Sequence, residues 1–221
     1  MPRSAAERRE ELVELYRQAR ACTRCPLHQT RTQVVFGNGN ADADLMFVGE
    51  APGANEDAQG LPFVGRAGRL LDEMLGENGM TRADVFVTNV LKSRPPSNRD
   101  PEPAEIDACR PYLQRQVELI EPSVICTLGN FATKLLSGSQ QGITRVHGVP
   151  QERELGGRQV TLYPLFHPAA ALRTPRVKEQ LSEDFARLPQ LLAREPAGAA
   201  PPEPEAGPAP ATIEQMGLFG S

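Results

Sequence analysis

The amino-acid sequence predicts an α/β fold, a three-layer α/β/α sandwich around a central four-stranded, mainly parallel sheet. Two observations carry this prediction: four short apolar segments are typical of buried strands, and helical segments of about 10 to 20 residues separate them. Strands that alternate with helices form βαβ crossovers, which cover both faces of a parallel sheet. The length of 221 residues suits one such domain, or one domain with an appendage.

The first half of the chain supplies two helices and two strands. Residues 7–21 carry apolar side chains at helical spacing and predict an amphipathic helix. The apolar runs at 44–49 and 85–91 are typical of buried strands, and the first of them ends in glycine. Residues 66–78 lie between these runs and predict a helix that Gly79 closes.

The second half continues the alternation after a loop. Residues 93–103 contain four prolines, so little regular structure is expected there. The elements that follow are, in order, a helix over 103–120, a strand over 123–128, a helix that ends at Leu136, a strand over 160–166 and a final helix over 178–193.

The composition changes at residue 195. Every residue from 195 to 211 is Glu, Pro, Ala or Gly, and such a stretch buries too little apolar surface to offset its ordering entropy. We therefore predict one domain over residues 1–194 and a disordered tail over 195–221. The tail holds four Glu and no Lys or Arg, so residues 1–194 carry 24 acidic and 24 basic side chains. The net charge of −4 therefore does not exclude binding to nucleic acid.

The hydropathy pattern argues against a membrane protein. Every apolar run is shorter than the roughly 20 residues that a membrane-spanning helix needs. The N-terminal residues include no apolar signal segment. We therefore expect a cytoplasmic protein with no membrane partner.

Polar or glycine-rich sequence follows three of the predicted strands. The run Gly-Glu-Ala-Pro-Gly at 49–53 follows one strand, Asn89 ends another, and His167 follows a third. Because ligands bind at the carboxyl ends of parallel strands, these groups should converge on one edge of the sheet. The loop after the first strand also contains Glu56 and Phe63, and the Phe63 ring could stack on a flat base or merely anchor the loop. His167 could be a structural histidine, but its place opposite Asn89 favours a group that faces a ligand.

The four cysteines divide into two kinds of environment. Cys22 and Cys25 form a Cys-x-x-Cys pair, which alone is compatible with zinc, an iron–sulfur cluster, a redox pair or chance. Cys109 begins a helix and could be a third thiolate, whereas Cys126 lies in an apolar strand, where a buried and inert role is favoured. Among histidines, only His28 lies near the pair, so a tetrahedral zinc site is hard to assemble.

These motifs, taken in order, resemble those of the uracil-DNA glycosylase superfamily. The motifs are Gly49-Glu50-Ala51-Pro52-Gly53, Gly60-Leu61-Pro62-Phe63-Val64-Gly65, Val87-Thr88-Asn89 and Phe166-His167-Pro168-Ala169. The cysteine pair upstream and the run Arg-Pro-Pro-Ser-Asn-Arg at 94–99 are most similar to the bacterial and archaeal family 4 enzymes, and the glutamate at position 50 differs from the family 5 loop. The resemblance covers about residues 10 to 190.

The resemblance implies a monofunctional uracil-DNA glycosylase of base excision repair, which acts as a monomer on uracil-containing DNA. It would flip deoxyuridine out of the helix and hydrolyse its N-glycosidic bond, leaving an abasic site. Phe63 would stack on the flipped base. Asn89 would donate to uracil O4 and accept from N3–H, and cytosine offers the opposite pattern. His167 would stabilise the charge that develops on uracil O2.

A carboxylate is needed near the sugar to steady the oxocarbenium ion and orient water. Ala51, a member of the uracil pocket, stands where the best-known family keeps its water-activating aspartate. Glu50 and Glu56 are therefore the candidates, and the sequence does not rank them.

The resemblance also implies a DNA-binding surface beside the pocket. Lys92, Arg94 and Arg99 lie in the proline-rich loop and are candidates for phosphate contacts. Leu172 is the candidate wedge that enters the duplex, with Arg173 beside it, although this segment could equally be a plain helix-capping loop.

Family 4 enzymes resemble one another in four cysteines that hold a [4Fe–4S] cluster. Cys22, Cys25 and Cys109 match three of them, but the fourth position is Ser93. Serine is a poor substitute for a thiolate, so serine or water completes a [4Fe–4S] cluster, a three-iron cluster forms, or the cluster is lost. We expect a retained but labile iron–sulfur cluster with a structural role.

Two other functions remain as alternatives. The chain could be a non-catalytic protein of the same fold that binds uracil or damaged DNA, but Glu50, Phe63, Asn89 and His167 are all present. A small iron–sulfur electron carrier is disfavoured because such a protein needs no uracil-shaped pocket.

The end of the tail suggests a protein partner. Gln215, Leu218 and Phe219 resemble the Gln-x-x-Leu-Phe peptides that bind the bacterial sliding clamp. The alternative is that these apolar residues fold back onto the domain, since short motifs often arise by chance.

Overall fold

The sheet of the computed structural model contains six strands within the described residues, 3–193. They are β1 (Asn38–Gly39), β2 (Leu45–Gly49), β3 (Val85–Asn89), β4 (Val124–Leu128), β5 (Gln151–Leu155) and β6 (Arg158–Leu165). Their order across the sheet is β1-β3-β2-β4-β6-β5. The four central strands are parallel, whereas β1 and β5 pair antiparallel at the two edges.

The four predicted strands are these four central ones, so the mainly parallel α/β fold is confirmed, but the predicted strand count is too low. Strand β1 is two exposed residues long, and β5 is a polar segment whose side chains alternate between half-buried and exposed. Neither contains an apolar run. A Gly-Gly turn joins β5 to β6, with φ of 59° at Gly156 and 71° at Gly157, the positive values that tight hairpins favour.

Nine α-helices accompany the sheet within the same residues. They are α1 (Ala5–Arg20), α2 (Ala54–Gln59), α3 (Arg66–Glu77), α4 (Pro103–Ile120), α5 (Asn130–Ser137), α6 (Ile143–Val146), α7 (Pro168–Ala171), α8 (Pro175–Phe185) and α9 (Leu188–Leu192). Helix α2 lies in a segment for which only a loop was predicted. The predicted final helix is split into α8 and α9, because Pro189 in the first turn of α9 has no N–H to continue the preceding helix.

The two faces of the sheet pack against different helices. On one face Phe47 contacts a cluster that includes Leu71 of α3 and Phe185 of α8. On the other face its neighbour Met46 joins Leu113 of α4. Successive strand residues point to opposite faces, so these two clusters are the two helix–sheet interfaces of a three-layer sandwich.

The register of the sheet brings the predicted motifs to one edge. Gly49 at the end of β2 is paired with Asn89 at the end of β3. The N–H of Gly129, just after β4, donates to the carbonyl of Leu165, two residues before His167. The predicted convergence of three strand ends is therefore present. None of the described helices is long and apolar enough to cross a membrane.

Candidate active site

A cavity of about 310 Å³ opens at the carboxyl ends of the parallel strands. It is lined by Glu50, Ala51, Pro52, Gly53, Glu56, Phe63, Ala67, Asn89, Pro95, Asn98, Arg99, His167 and Ala169. Seven of these residues were candidate site residues in the sequence. They come from four separate segments of the chain, which the sheet brings together.

The side chains of Asn89 and Phe63 both lie against Gly49. The side chain of Asn89 is 2% exposed, and a Cβ atom added to Gly49 would lie 2.4 Å from Asn89 Oδ1 and 2.7 Å from Phe63 Cζ. No real side chain could occupy that position without moving the amide or the ring. Gly49 therefore allows a flat aromatic face and an amide to share one end of the cavity.

The backbone of Phe63 has a left-handed conformation, with φ of 53°. This region is unusual for a bulky side chain and persists where surrounding contacts fix it. The Phe63 ring lies beside the imidazole of His167, with ring centroids 5.7 Å apart and planes inclined by 29°. The two rings therefore form one continuous wall of the cavity.

His167 is held as a neutral hydrogen-bond donor. It is the residue before α7, and the N–H of Ala169 donates to its Nδ1 over 3.1 Å. Burial lowers the pKa of His167 to about 4, although the charge of Glu56 acts in the opposite direction. A neutral imidazole that accepts at Nδ1 carries its proton on Nε2, so the hydrogen bond assigns the tautomer.

The two candidate glutamates have different surroundings. Glu56 Oε1 accepts hydrogen bonds from the N–H groups of Val64 and Gly65, both at 3.0 Å, so one of its oxygens fixes the loop that carries Phe63. Glu50 is half-buried, and burial together with the charge of Asp100 raises the pKa of its carboxyl group. A carboxylate with a raised pKa is the stronger base.

The proline-rich loop supplies a polar residue that the sequence analysis missed. Asn98 lines the cavity in a left-handed conformation, with φ of 54°, and its Oδ1 accepts from Arg94 Nε over 2.7 Å. Asn adopts this conformation more readily than most residues do, so an Asn in a proline-rich loop was the sequence signal that could have indicated it. Arg99 forms two hydrogen bonds, of 2.6 and 2.9 Å, with the buried carboxylate of Glu105. That pair anchors the loop to α4.

The expectation that Lys92 contacts DNA is wrong. Its side chain is 2% exposed, and its ammonium donates to Thr88 Oγ1, the Asn89 carbonyl and Gln116 Oε1 at 2.6–2.7 Å. Burial lowers the pKa of Lys92 to about 7, against the opposing charge of Cys109. The ammonium therefore points into the protein behind Asn89.

Leu172 and Arg173 lie on the surface after α7. The Leu172 side chain is 39% exposed, which is unusual for a large apolar residue, and Arg173 is also exposed. Leu172 is the residue that caps α7, so the helix-capping role is present as well. Leu172 follows Ala169 of the cavity lining by three residues, and the wedge role stays a prediction.

Three of the four cysteines lie near one another. Cys22 and Cys25 are half-buried and Cys109 is buried. Burial raises the pKa of the Cys109 thiol, and the charges of Cys25 and Cys22 raise it further. Cys126 is fully buried in β4, away from this trio, as the sequence predicts.

Three cations lie beside the trio, Arg24, Arg31 and Lys92. Burial acts to raise the pKa of Cys22, but hydrogen bonds with Tyr112 and Arg24 lower it. The N–H of Lys92 approaches Cys109 Sγ at 3.4 Å, and the next residue, Ser93, is 3% exposed and accepts from Arg31. Donors and cations around thiols stabilise thiolates and clusters that carry negative charge.

Among residues 3–193, no group of three or more His, Cys, Asp or Glu side chains is arranged to hold a single metal ion. Cys22, Cys25 and Cys109 remain the predicted iron–sulfur ligands, with Ser93 at the fourth predicted position. The predicted clamp motif, Gln215, Leu218 and Phe219, lies outside the described residues.

Comparisons with known proteins agree with this geometry. A sequence model of the uracil DNA glycosylase superfamily matches residues 36–188. The protein named type-4 uracil-DNA glycosylase from Archaeoglobus fulgidus is 45% identical over 189 residues, which cover 84% of this chain and 95% of that protein. The proteins of the same name from Thermotoga maritima and Sulfurisphaera tokodaii are 45% and 44% identical, over 85% and 82% of this chain and 98% and 85% of their own lengths.

Proposed function

This chain belongs to the uracil DNA glycosylase superfamily and is a DNA N-glycosylase that acts on uracil, and we propose that the cavity lined by Phe63, Asn89 and His167 holds the flipped base. The reaction is hydrolysis of the N-glycosidic bond of deoxyuridine, which leaves an abasic site in the DNA. Uracil has to leave the base stack because its glycosidic carbon is otherwise inaccessible. The observation that supports this proposal is that the Phe63 ring, the Asn89 amide and the neutral His167 imidazole line the same cavity.

Phe63 and Asn89 select the base. The Phe63 ring offers a flat apolar face for uracil, and the buried Asn89 amide lies at the edge of that ring. An amide can donate to O4 and accept from N3–H of uracil at the same time. Cytosine presents a donor where uracil has O4 and an acceptor where uracil has N3–H, so the same amide orientation rejects it. Ala51 adds a small apolar wall.

His167 stabilises the departing base. As the glycosidic bond breaks, its electron pair moves to uracil N1 and the negative charge spreads to O2. A preorganised Nε2–H donor aimed at O2 lowers the energy of that state without accepting or giving a proton. The lowered pKa of His167 keeps the imidazole neutral throughout the physiological range.

Glu50 orients the attacking water. Its raised pKa favours uptake of a proton from water, whereas Glu56 already uses one oxygen to hold the loop. The carboxylate also steadies the positive sugar as the base leaves. Asn98 lines the same cavity and its amide is a second group that could hold this water. Glu56 then acts mainly by shaping the loop around Phe63.

DNA binds across the rim of the cavity. Arg94 lies in the proline-rich loop that lines part of the cavity, and the exposed Arg173 follows α7, which supports both as candidates for phosphate contacts. Arg99 remains a candidate phosphate contact, although its guanidinium is bound to Glu105. Leu172 enters the duplex in place of the flipped nucleotide.

An iron–sulfur cluster is held by Cys22, Cys25 and Cys109, with Ser93 or water at the fourth position. The three neighbouring thiols and the cations beside them support this assignment. The cluster supplies no chemistry to the hydrolysis. Its thiolate ligands would tie α1 to α4 and to the loop that carries Arg94.

We further propose that the domain over residues 1–194 acts as a monomer. Its tail over 195–221 carries the sliding-clamp motif, which would bring the enzyme to newly copied DNA. Because its substrate is DNA, the chain works in the cytoplasm, where the chromosomes of its bacterial and archaeal relatives lie.

The assignment is tested with a labelled oligonucleotide that contains one uracil. Incubation followed by alkali should cleave the strand at that position, and an oligonucleotide with cytosine at the same position should stay intact. Binding of the uracil strand without any alkali-labile product would instead support the non-catalytic alternative.

A further inference from the structure

The conformation of Phe63 raises the question of what keeps it in place. A residue with a bulky side chain leaves the left-handed region unless its neighbours prevent this. If the Phe63 backbone relaxed to an ordinary conformation, its ring would turn away from His167 and from the space above Gly49. The wall of the cavity therefore depends on contacts with the Phe63 main chain.

Arg82 contacts the Phe63 main chain from outside the cavity. Its Nη2 donates to the Phe63 carbonyl over 2.9 Å, and its Nε forms an ion pair with Asp72 of α3 at 2.5 Å. The Arg82 side chain is 25% exposed and lies just before β3. A hydrogen bond from a guanidinium is stronger than one between neutral groups, and the ion pair fixes the direction of the donor.

Two further contacts leave this carbonyl little freedom. A Cβ atom on Gly68 would lie 1.7 Å from the Phe63 oxygen, so α3 packs directly against this peptide. The next two N–H groups, of Val64 and Gly65, are bound to Glu56. Glu56 lines the cavity, whereas Arg82 does not. Arg82 is therefore the contact that can be changed without altering the lining of the cavity.

We propose that Arg82 is a positioning residue for uracil excision, which holds the Phe63 carbonyl so that the ring keeps its place beside His167. The proposal rests on the proposed role of Phe63 as the base-stacking residue. Asp72 assists by orienting the guanidinium. Arg82 touches neither the base nor the sugar, so its effect passes through Phe63.

The first test measures excision by Arg82→Gln under single-turnover conditions with saturating enzyme. Loss of the charged donor should lower the maximal rate about tenfold or more. Affinity for undamaged duplex DNA and the dependence of that affinity on salt should stay unchanged. A weaker affinity with a smaller salt dependence would overturn the proposal, because it would make Arg82 a phosphate contact. Asp72→Asn, which leaves the Arg82 donor in place, should have a smaller effect on the rate.

The second test is a double-mutant cycle with Phe63→Ala. Once the ring is absent, Arg82→Gln should lower the rate less than about twofold. An equal loss with and without the ring would show that Arg82 acts by another route, and would overturn the proposal. If Phe63→Ala by itself excises uracil at the normal rate, the proposed role of Phe63 fails first, and that outcome is distinct.

Thermal unfolding of each variant serves as the control that it folds. If Arg82→Gln does not fold, Arg82→Lys takes its place in the cycle, because lysine keeps the charge but cannot bond Asp72 and the Phe63 carbonyl in the same planar geometry. The cycle with Arg82→Lys then has the same two outcomes. A smaller loss of rate when the Phe63 ring is absent supports the proposal, and an equal loss overturns it.

Discussion

The N–H of Ala169 donates to Nδ1 of His167 over 3.1 Å, and this bond leaves the proton of the neutral imidazole on Nε2. The residue that supplies the bond lies two positions further along the chain, in the first turn of α7. The tautomer that the leaving group requires is therefore set by local backbone geometry. The nearby charge of Glu56 raises the pKa of His167, but burial outweighs it and keeps the imidazole neutral.

Replacing His167 by alanine should lower the single-turnover rate of uracil excision about 100-fold, because one preorganised donor to the departing base is lost. Affinity for undamaged DNA should change little. Retention of the normal rate by His167→Ala would contradict the role given to the imidazole.

The free energy of unfolding should depend on pH through His167. Its pKa in the folded protein is about 4, below the ordinary value of 6.5. Between these values the unfolded chain takes up a proton that the folded chain does not, so stability falls as the pH is lowered from 6.5 to 4. The slope from this one group is at most about 1.4 kcal/mol per pH unit.

The measurement is denaturant unfolding of the normal chain and of His167→Gln at several pH values in that window. The difference between their unfolding free energies should change with pH, while the contributions of other titrating groups cancel. A difference that stays constant from pH 6.5 to 4 would show that His167 titrates normally.

Asn89→Asp should reduce uracil excision about 100-fold. The carboxylate cannot donate to O4, and its charge opposes the negative charge that forms on the base. Asn78→Asp serves as a matched control, since Asn78 lies at the end of α3, away from the cavity lining. Equal rates for the two variants would remove the assignment of Asn89 as the base-reading residue.

Ser93→Cys should make the proposed iron–sulfur cluster more persistent in air, because a fourth thiolate would replace the proposed oxygen ligand. The measurement is the decay of the broad visible absorbance that arises from thiolate-to-iron charge transfer. Cys126→Ala provides the control, since Cys126 is buried in β4 and should leave the decay unchanged. An anaerobic preparation that contains zinc and no iron would rule the cluster out.

The clamp motif is tested with a peptide over residues 212–221 and calorimetry against the bacterial sliding clamp. Leu218 and Phe219 should fill an apolar pocket with modest affinity, and a peptide with alanine at both positions should not bind. Indistinguishable results for the two peptides would eliminate the hypothesis. Excision by a chain that lacks the tail should be unchanged.

Sequence patterns predicted the parts of the fold that have a local signal. The parallel strands have apolar runs, and Pro103 marks the first turn of α4, so these elements were located within a few residues. Strand β5 was missed because it is polar and half-exposed, and α2 was missed because its six residues are too few to show a helical period.

In the candidate site, too, the residues with a local sequence signal could be predicted and the others could not. Phe63, Asn89 and His167 could be named as candidates because each belongs to a recognisable sequence motif. The direction of Lys92 could not, because it depends on acceptors from Thr88 and Gln116, and Gln116 lies 24 residues away on α4. A basic residue in a loop beside a DNA-binding pocket is ordinarily expected to face solvent.

The order of the strands has a consequence for how this enzyme becomes active during synthesis. His167 follows β6, which docks on β4, while Phe63 and Asn89 belong to the first half of the chain. A growing chain that has released only its first 150 residues should not excise uracil, since His167, the proposed donor to the leaving group, has not yet emerged. Parallel pairing between distant segments also forms slowly. Excision during refolding should therefore appear no earlier than the docking of β6 on β4.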